Sequence, residues 1–140
     1  MGTCETFDHT ADLGLRIRAE SLNDLFVSAA EGLFDVILVN RQEVRPELHE
    51  SIQLSAESPA ELLATWLSEL IFRFETTHRL YSRFEVEVSP DGCNLIGQLA
   101  GEALDTVRHQ LDHEVKAVTR HGLFLRPDGS GWLAELILDI

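Results

Sequence analysis

The strongest pattern in the chain is a stripe of apolar residues that recur at i, i+3 and i+4 from position 22 to position 37. This spacing places them on one face of a helix. Ser21 precedes the stripe, and Asp24 lies three positions after Ser21, which is the spacing of a helix N-cap and its capping partner. The pattern therefore predicts an amphipathic helix that begins after Ser21 and ends near residues 39–40.

A second helical stripe spans residues 62–74. The segment before it, residues 58–61, has the Ser-x-x-Glu sequence of a capping box, with Pro59 at the first helical position. We expect this helix to fray toward residues 76–78. The intervening residues 40–50 are polar and contain a proline, which is typical of a loop, and we expect His49 to be solvated there.

Shorter segments alternate apolar and polar residues, which is the period of a half-buried strand. They are residues 15–19, 52–56, 84–88, 95–99, 115–119 and 132–138. Turn sequences at residues 90–92 and 127–131 separate neighbouring strands, and His121-Gly122 marks a predicted bulge. The order predicts an α+β fold, in which two amphipathic helices pack on one face of a largely antiparallel β-sheet, as a single domain over residues 1–140.

The composition bears on the cellular compartment of the protein. Its 140 residues are 44% hydrophobic, with no apolar run of membrane-spanning length. The N-terminus lacks the basic and apolar regions of a signal peptide, so we expect a cytoplasmic protein with no membrane contact. The two cysteines, Cys4 and Cys93, form no disulfide framework and have no zinc-site spacing.

The chain is strongly acidic, with 24 Asp and Glu against 11 Lys and Arg and a net charge of −13. Such a surface repels a phosphate backbone, so we expect no direct binding of nucleic acid. If RNA is involved, it would be bound by a partner protein. The acidity is equally compatible with a role in solubility or salt adaptation.

Residues 7–14 concentrate polar chemistry at the entry to a predicted strand. Asp8, His9, Thr10 and Asp12 lie within five positions. One interpretation is that these side chains satisfy the backbone of a turn. The other is that Asp12 is a ligand of a hard cation, completed by carboxylates from elsewhere in the fold.

The C-terminus offers such carboxylates. Trp132, Ala134, Leu136 and Leu138 share one face of the last strand, so Asp139 points to the other. Together with the terminal carboxylate of Ile140 it forms an all-oxygen cluster of the kind that calcium, magnesium or manganese accept. A frayed, solvated terminus is the alternative, although apolar alternation up to Leu138 favours a terminus held in the sheet.

Lys116 is a second candidate because it is the only lysine in the chain. Near an acidic cluster it would act as a counter-ion or a reactive donor, and otherwise it is an ordinary surface lysine. No nucleophile elbow, phosphate-binding loop, zinc-protease motif or C-x-x-C sequence occurs. We therefore expect a protein that is not an enzyme. A stand-alone metal-dependent hydrolase and a chaperone-like binding module are the rival interpretations.

Taken together, these segments resemble the archease family in the same order along nearly the whole chain. They are residues 7–14, 21–22 with the helix through 32–35, 66–70, 114–119 with 121–123, and 131–140. The resemblance implies a small α+β protein that activates the GTP-dependent tRNA-splicing RNA ligase by promoting its guanylylation and turnover.

The resemblance also implies site residues. The family's metal ligands match Asp12, Asp139 and Ile140, and its functionally required lysine matches Lys116, while His9 and Asp8 are weaker candidates. It implies a bound divalent cation, with calcium as the first expectation and magnesium or manganese as alternatives, and a contact with ligase-bound GTP. Arg120 stands where the family usually has an aromatic residue, which leaves the role of that position open.

Overall fold

A computed structural model describes residues 1–9 and 12–140 of the chain, with the backbone alone of His9. These residues form two α-helices and seven β-strands. The helices are α1 (Leu22–Ile37) and α2 (Pro59–Thr77). The strands are β1 (Thr3–His9), β2 (Asp12–Ala19), β3 (Leu48–Ser55), β4 (Arg79–Val88), β5 (Asn94–Ala103), β6 (Ala117–Asp128) and β7 (Gly131–Asp139).

Both helices begin where their capping sequences predict. The Ser21 hydroxyl accepts a hydrogen bond from the Asp24 amide at 3.1 Å, and the Ser58 hydroxyl accepts one from the Glu61 amide at 3.2 Å. Helix α1 ends about two residues earlier than predicted. Leu38 already has an extended backbone, because it forms a bridge with Leu111 instead of continuing the helix.

The described strands form two antiparallel sheets. One has the order β1-β2-β7-β6 and the other the order β3-β5-β4. Helix α1 packs on β1 and β2 of the first sheet and on β4 of the second. The α+β class is confirmed. The strands divide between two sheets, and the helices fill the space that both sheets border.

Most strands are longer than the predicted segments, and the start of the sheet and the loop before β3 differ most clearly from the sequence prediction. Strand β1 was not predicted, because its residues alternate weakly and most of them are exposed at the edge of a sheet. Strand β3 begins at Leu48, four residues before the predicted segment, so His49 lies in an exposed strand position and not in a loop. The predicted bulge is confirmed by the register shift between Thr119 and Phe124 and by the positive φ of Gly122.

Aromatic side chains join the helices to the second sheet. Trp66 of α2 is fully buried, and its indole N–H donates to the Phe26 carbonyl of α1 at 2.9 Å. Phe34 of α1 lies against Tyr81 and Phe84 of β4, with ring centroids 5.7 and 6.0 Å apart. These contacts fix the relative positions of the two helices and β4. Neither helix in the described chain is long and apolar enough to cross a membrane.

A buried polar network holds the segment between β5 and β6 in place. Glu102 is 7% exposed and accepts a hydrogen bond from the Arg45 amide at 2.7 Å. Its carboxylate also pairs with Arg108 and lies 3.1 Å from Nε2 of His109. Since Nδ1 of His109 accepts from the Asp105 amide at 2.9 Å, Nε2 carries the proton and donates to Glu102.

Burial of Glu102 opposes its ionisation, but its hydrogen bonds to the Arg45 amide, Arg108 and His109 outweigh burial and lower the pKa of the carboxyl group. The ionised form therefore stabilises the fold. This stabilisation is fully present above the ordinary pKa of 4.5 and is lost as the pH falls through the lower folded value.

We expect Glu102→Gln to reduce the free energy of unfolding at neutral pH by about 1–3 kcal/mol, because the amide leaves buried donors unsatisfied. The difference in unfolding free energy between this variant and the wild type should become smaller at acidic pH. Urea unfolding at several pH values measures both effects, with the exposed Glu85→Gln as the matched control. Equal losses in the two variants, or a difference independent of pH, would contradict this role of Glu102.

Candidate functional site

The pairing of β2 with β7 brings the start of β2 beside the C-terminal end of β7. Leu13 pairs with Leu138 and Gly14 with Ile137 in an antiparallel register. Continued by one residue, this register places Asp12 opposite Asp139, and both are half-buried. Directly opposed residues project to the same face of a sheet. We call Asp12 and Asp139 the acidic pair.

The C-terminus is held in the sheet on its other side by β6. Asp139 pairs with Ala117, and its carbonyl accepts a hydrogen bond from the Lys116 amide at 2.8 Å. Ile140 is half-buried and packs against the hydrophobic core. The terminal carboxylate therefore follows an ordered strand, which removes the interpretation of a frayed end.

The same face of the sheet is supported next to the acidic pair by an aromatic ring. Phe7 pairs with Gly14, and its ring lies where a side chain on Gly14 would be. The Arg16 guanidinium is 4.9 Å from the ring centroid and donates to Glu135 of β7 at 2.7 Å. Phe7, Gly14 and Arg16 thus tie β1, β2 and β7 together one or two rows from Asp12.

The weaker candidates are less clearly placed. Asp8 is exposed and pairs with Leu13, so the alternation of the strand directs it to the face opposite the acidic pair. The His9 backbone pairs with Asp12. The His9 side chain and Thr10 lie outside the described residues.

Lys116 lies beside Asp139 through its backbone, but its side chain borders a different surface. Its amide binds Asp139, while the residue lines a shallow depression with Phe72 and Glu75 of α2. Lys116 is exposed and forms no ion pair with any described residue. Arg120, at the position where an aromatic residue was expected, donates to Glu61 at 3.0 Å near the start of α2.

The donors at the acidic pair fit a hard cation. Two carboxylates and a chain-terminal carboxylate are all oxygen ligands, and neither Asp12 nor Asp139 forms a salt bridge within the described part of the chain. No three His, Cys, Asp or Glu side chains cluster as a metal site among residues 1–9 and 12–140. A cation at this place would therefore depend on the terminal carboxylate, on backbone carbonyls or on water for its further ligands.

Sequence reasoning missed the buried network of Glu102, Arg108 and His109. Three charged or titratable residues within a polar connection indicate an exposed loop when only the sequence is considered. Their burial depends on contacts with Arg45 and with the C-terminal end of α1, which are distant in sequence.

By fold and site, the protein is a small antiparallel α+β protein in which the start of β2 and the end of β7 bring the acidic pair together. The model of the Archease protein family (MTH1598/TM1083) matches residues 4–140. The chain belongs to the archease family.

Relatives and solved structures agree over nearly the full length. Protein archease of Methanopyrus kandleri is 38% identical over 138 residues, covering 97% of this chain and 98% of that protein. Protein archease of Pyrococcus furiosus is 34% identical, with 97% of each chain covered. The solution structure of Methanobacterium thermoautotrophicum protein 1598 is 29% identical and has a TM-score of 0.81, covering 98% of both chains.

A crystal structure from Thermotoga maritima, described as an archease and possible chaperone, has a TM-score of 0.68 at 17% identity. It covers 97% of this chain and 96% of that chain. At this identity the likeness shows the fold alone.

We expect Gly14→Ala to lower the free energy of unfolding by about 1–3 kcal/mol, because the new methyl group would overlap the Phe7 ring. A Cβ at this position would lie 2.2 Å from Cζ of Phe7. The cost should shrink in a Phe7→Ala background, where the ring is absent, and a double-mutant cycle in urea measures this coupling. An equal cost with and without the ring would show that the glycine is not needed for this contact.

Proposed function

We propose that this protein is a metal-binding, non-enzymatic cofactor that activates the GTP-dependent tRNA-splicing RNA ligase by promoting its guanylylation and turnover. The observation that supports the proposal is the β2–β7 register, which brings Asp12 opposite Asp139 when continued by one residue beyond Leu13 and Leu138, together with the hydrogen bond from the Lys116 amide to Asp139. Membership of the archease family supports it, because the resemblance implies metal ligands at Asp12, Asp139 and Ile140 and a required lysine at Lys116.

Asp12, Asp139 and the terminal carboxylate of Ile140 would hold the cation. Calcium is the first expectation because it accepts six to eight oxygen ligands in varied geometry, whereas magnesium requires a near-octahedral shell. Manganese remains an alternative for the same donors. When bound, the cation would neutralise the acidic pair and fix the ends of β2 and β7 relative to each other.

The charge of the protein supports a basic, RNA-handling partner. A net charge of −13 speeds encounter with a positively charged surface and disfavours direct contact with RNA. Lys116 is the only lysine, is exposed, and has no ion-pair partner among the described residues. It is therefore available for a phosphate of ligase-bound GTP or for a carboxylate of the ligase.

The second candidate is a chaperone-like binding module that masks apolar surface of client proteins. We consider it because the Thermotoga maritima archease is described as a possible chaperone. The two functions differ in their requirement for a metal ion. A module of this kind would act on unrelated clients and would not depend on Asp12 or Asp139.

We expect the protein to stimulate transfer of GMP from labelled GTP to the ligase, with an optimum in a divalent-metal titration. Asp12→Asn and Asp139→Asn should each require about tenfold more metal for the same stimulation, or lose it, because each removes one anionic ligand. Glu87→Gln, an exposed carboxylate of the other sheet, is the matched control.

Full stimulation by folded Asp12→Asn and Asp139→Asn variants would contradict the proposal. Metal-independent protection of several unrelated enzymes from aggregation would favour the chaperone-like module. Hydrolysis of nucleotides by the purified protein, lost in Asp12→Asn, would instead support the interpretation as a stand-alone metal-dependent hydrolase.

We expect Lys116→Met to abolish GMP-transfer stimulation while calcium affinity, measured by isothermal titration calorimetry, changes less than about threefold. The reason is that only the Lys116 amide, and not its ammonium group, contacts Asp139. Lys116→Arg should retain part of the activity if the partner is a phosphate or carboxylate, since both cations pair with oxygen anions. Full stimulation by Lys116→Met would show that the lysine has no part in activation.

A further inference from the structure

A cleft of about 400 Å³ lies where the two helices end. Its apolar lining is contributed by α1, α2 and the segment before β6. We call it the helix-end cleft. The apolar residues are Ile37, Phe74, Leu111 and Val115, and the charged or polar ones are Glu75, His78, Asp112, His113 and Glu114.

The helix-end cleft is preformed by backbone hydrogen bonds. The Asp112 amide donates to the Ile37 carbonyl at 2.8 Å, and the His113 amide donates to the Val36 carbonyl at 3.1 Å. The Val39 amide donates to the Gln110 carbonyl at 2.8 Å. These bonds hold residues 110–113 along the end of α1, so a ligand would not have to order the segment on binding.

The cleft carries an excess of negative charge. Neither α1 nor α2 has a basic residue in its last turn, although the C-terminal end of a helix carries a partial negative charge. Glu75, Asp112 and Glu114 add three exposed carboxylates, and neither Lys nor Arg lines the cleft. Within the described residues, the one ion pair of these carboxylates joins Asp112 to His113 at 3.4 Å.

Exposed apolar side chains lie in and beside the cleft. Leu111 is 49% exposed although it lines the cleft, and Phe72 of α2 is 57% exposed. Phe72 borders the neighbouring depression, which shares Glu75 with the cleft and also contains Lys116. An apolar floor inside an acidic rim is the pattern that an amphipathic basic segment complements.

We propose that the helix-end cleft binds a basic amphipathic helix of a partner protein. Its apolar side chains contact Leu111 and Phe74, and its Lys or Arg side chains pair with Glu75, Asp112 and Glu114. This surface uses none of Asp12, Asp139 and Ile140. The inference goes beyond the proposed function and stands whether or not the acidic pair binds a cation.

Charge argues against other occupants. RNA and anionic lipid are repelled by the three carboxylates and by the net charge of −13. A second copy of the chain would bring two acidic rims together around the same apolar floor. A cationic segment is the occupant that relieves the repulsion.

The test uses the full chain and a fluorescein-labelled model helix of about 14 residues, built only from Leu and Lys with one apolar face. Fluorescence anisotropy at about 0.15 M salt gives the affinity. We expect Glu75→Gln/Glu114→Gln to weaken binding about tenfold, which corresponds to about 1.4 kcal/mol. Glu85→Gln/Glu87→Gln, which makes the same charge change on exposed positions of β4, should weaken it much less.

A second variant pair tests the apolar contact. Leu111→Ser should weaken binding, whereas Ile96→Ser, at an equally exposed leucine-sized side chain on β5, should not. Circular dichroism and urea midpoints verify that each variant folds. Amide shifts in an NMR titration should concentrate in residues 74–78 and 111–115.

Equal weakening by the two charge pairs would mean diffuse attraction to an acidic surface and would overturn the proposal. Amide shifts concentrated elsewhere would do the same. Dimerisation of the free protein that disappears in Leu111→Ser, seen by light scattering, would assign the cleft to a second copy and equally overturn it.

Discussion

The central constraint in this protein is the position of β7 between β2 and β6. Through its pairing with β2, in which Leu13 lies opposite Leu138, the last strand brings Asp139 opposite Asp12 when the register is continued by one residue. Through its pairing with β6, it binds the amide of Lys116. Inward, Ala134, Leu136 and Leu138 of the same strand are completely buried. A one-residue slip of β7 would turn these apolar side chains outward and separate the acidic pair, so the register that builds the core also builds the site.

A second feature of the protein is the uneven distribution of charge over its surface. The chain carries more than two acidic residues for each basic one, and the structure gathers carboxylates in two separate places. At the acidic pair they lie where the start of β2 meets the end of β7, and a small cation would balance them there. At the helix-end cleft they surround an apolar floor, where cationic side chains of a protein partner would balance them. Lys116 lies between the two places, bound to Asp139 by its amide and bordering the depression that shares Glu75 with the cleft.

The helices could be predicted from sequence because their signals are local: the stripe positions, Ser21 and Ser58 all act within a few residues. The hairpin of β4 and β5 followed from alternation around one turn. Strand β1 and the division into two sheets could not be predicted in this way, because they depend on pairing between distant segments and on an exposed edge with weak alternation. For the site, the residues alone suggested that Asp12 and the C-terminal carboxylates form one cluster but left a solvated turn and a frayed terminus as alternatives, and the resemblance to archeases favoured the cluster. The burial of Glu102 and His109 gave no local signal, since a polar connection looks solvated until its partners are known.

The most direct measurement for the central claim is a crystal structure of the protein soaked in manganese, recorded at a wavelength where the ion scatters anomalously. We expect an anomalous peak within about 2.5 Å of carboxylate oxygens of both Asp12 and Asp139, with the Ile140 terminus turned toward it. The same soak of Asp139→Asn should lose the peak while the β2–β7 register stays unchanged. A manganese peak at another cluster, or none at the acidic pair of the intact protein, would contradict the assignment of the acidic pair as a cation site.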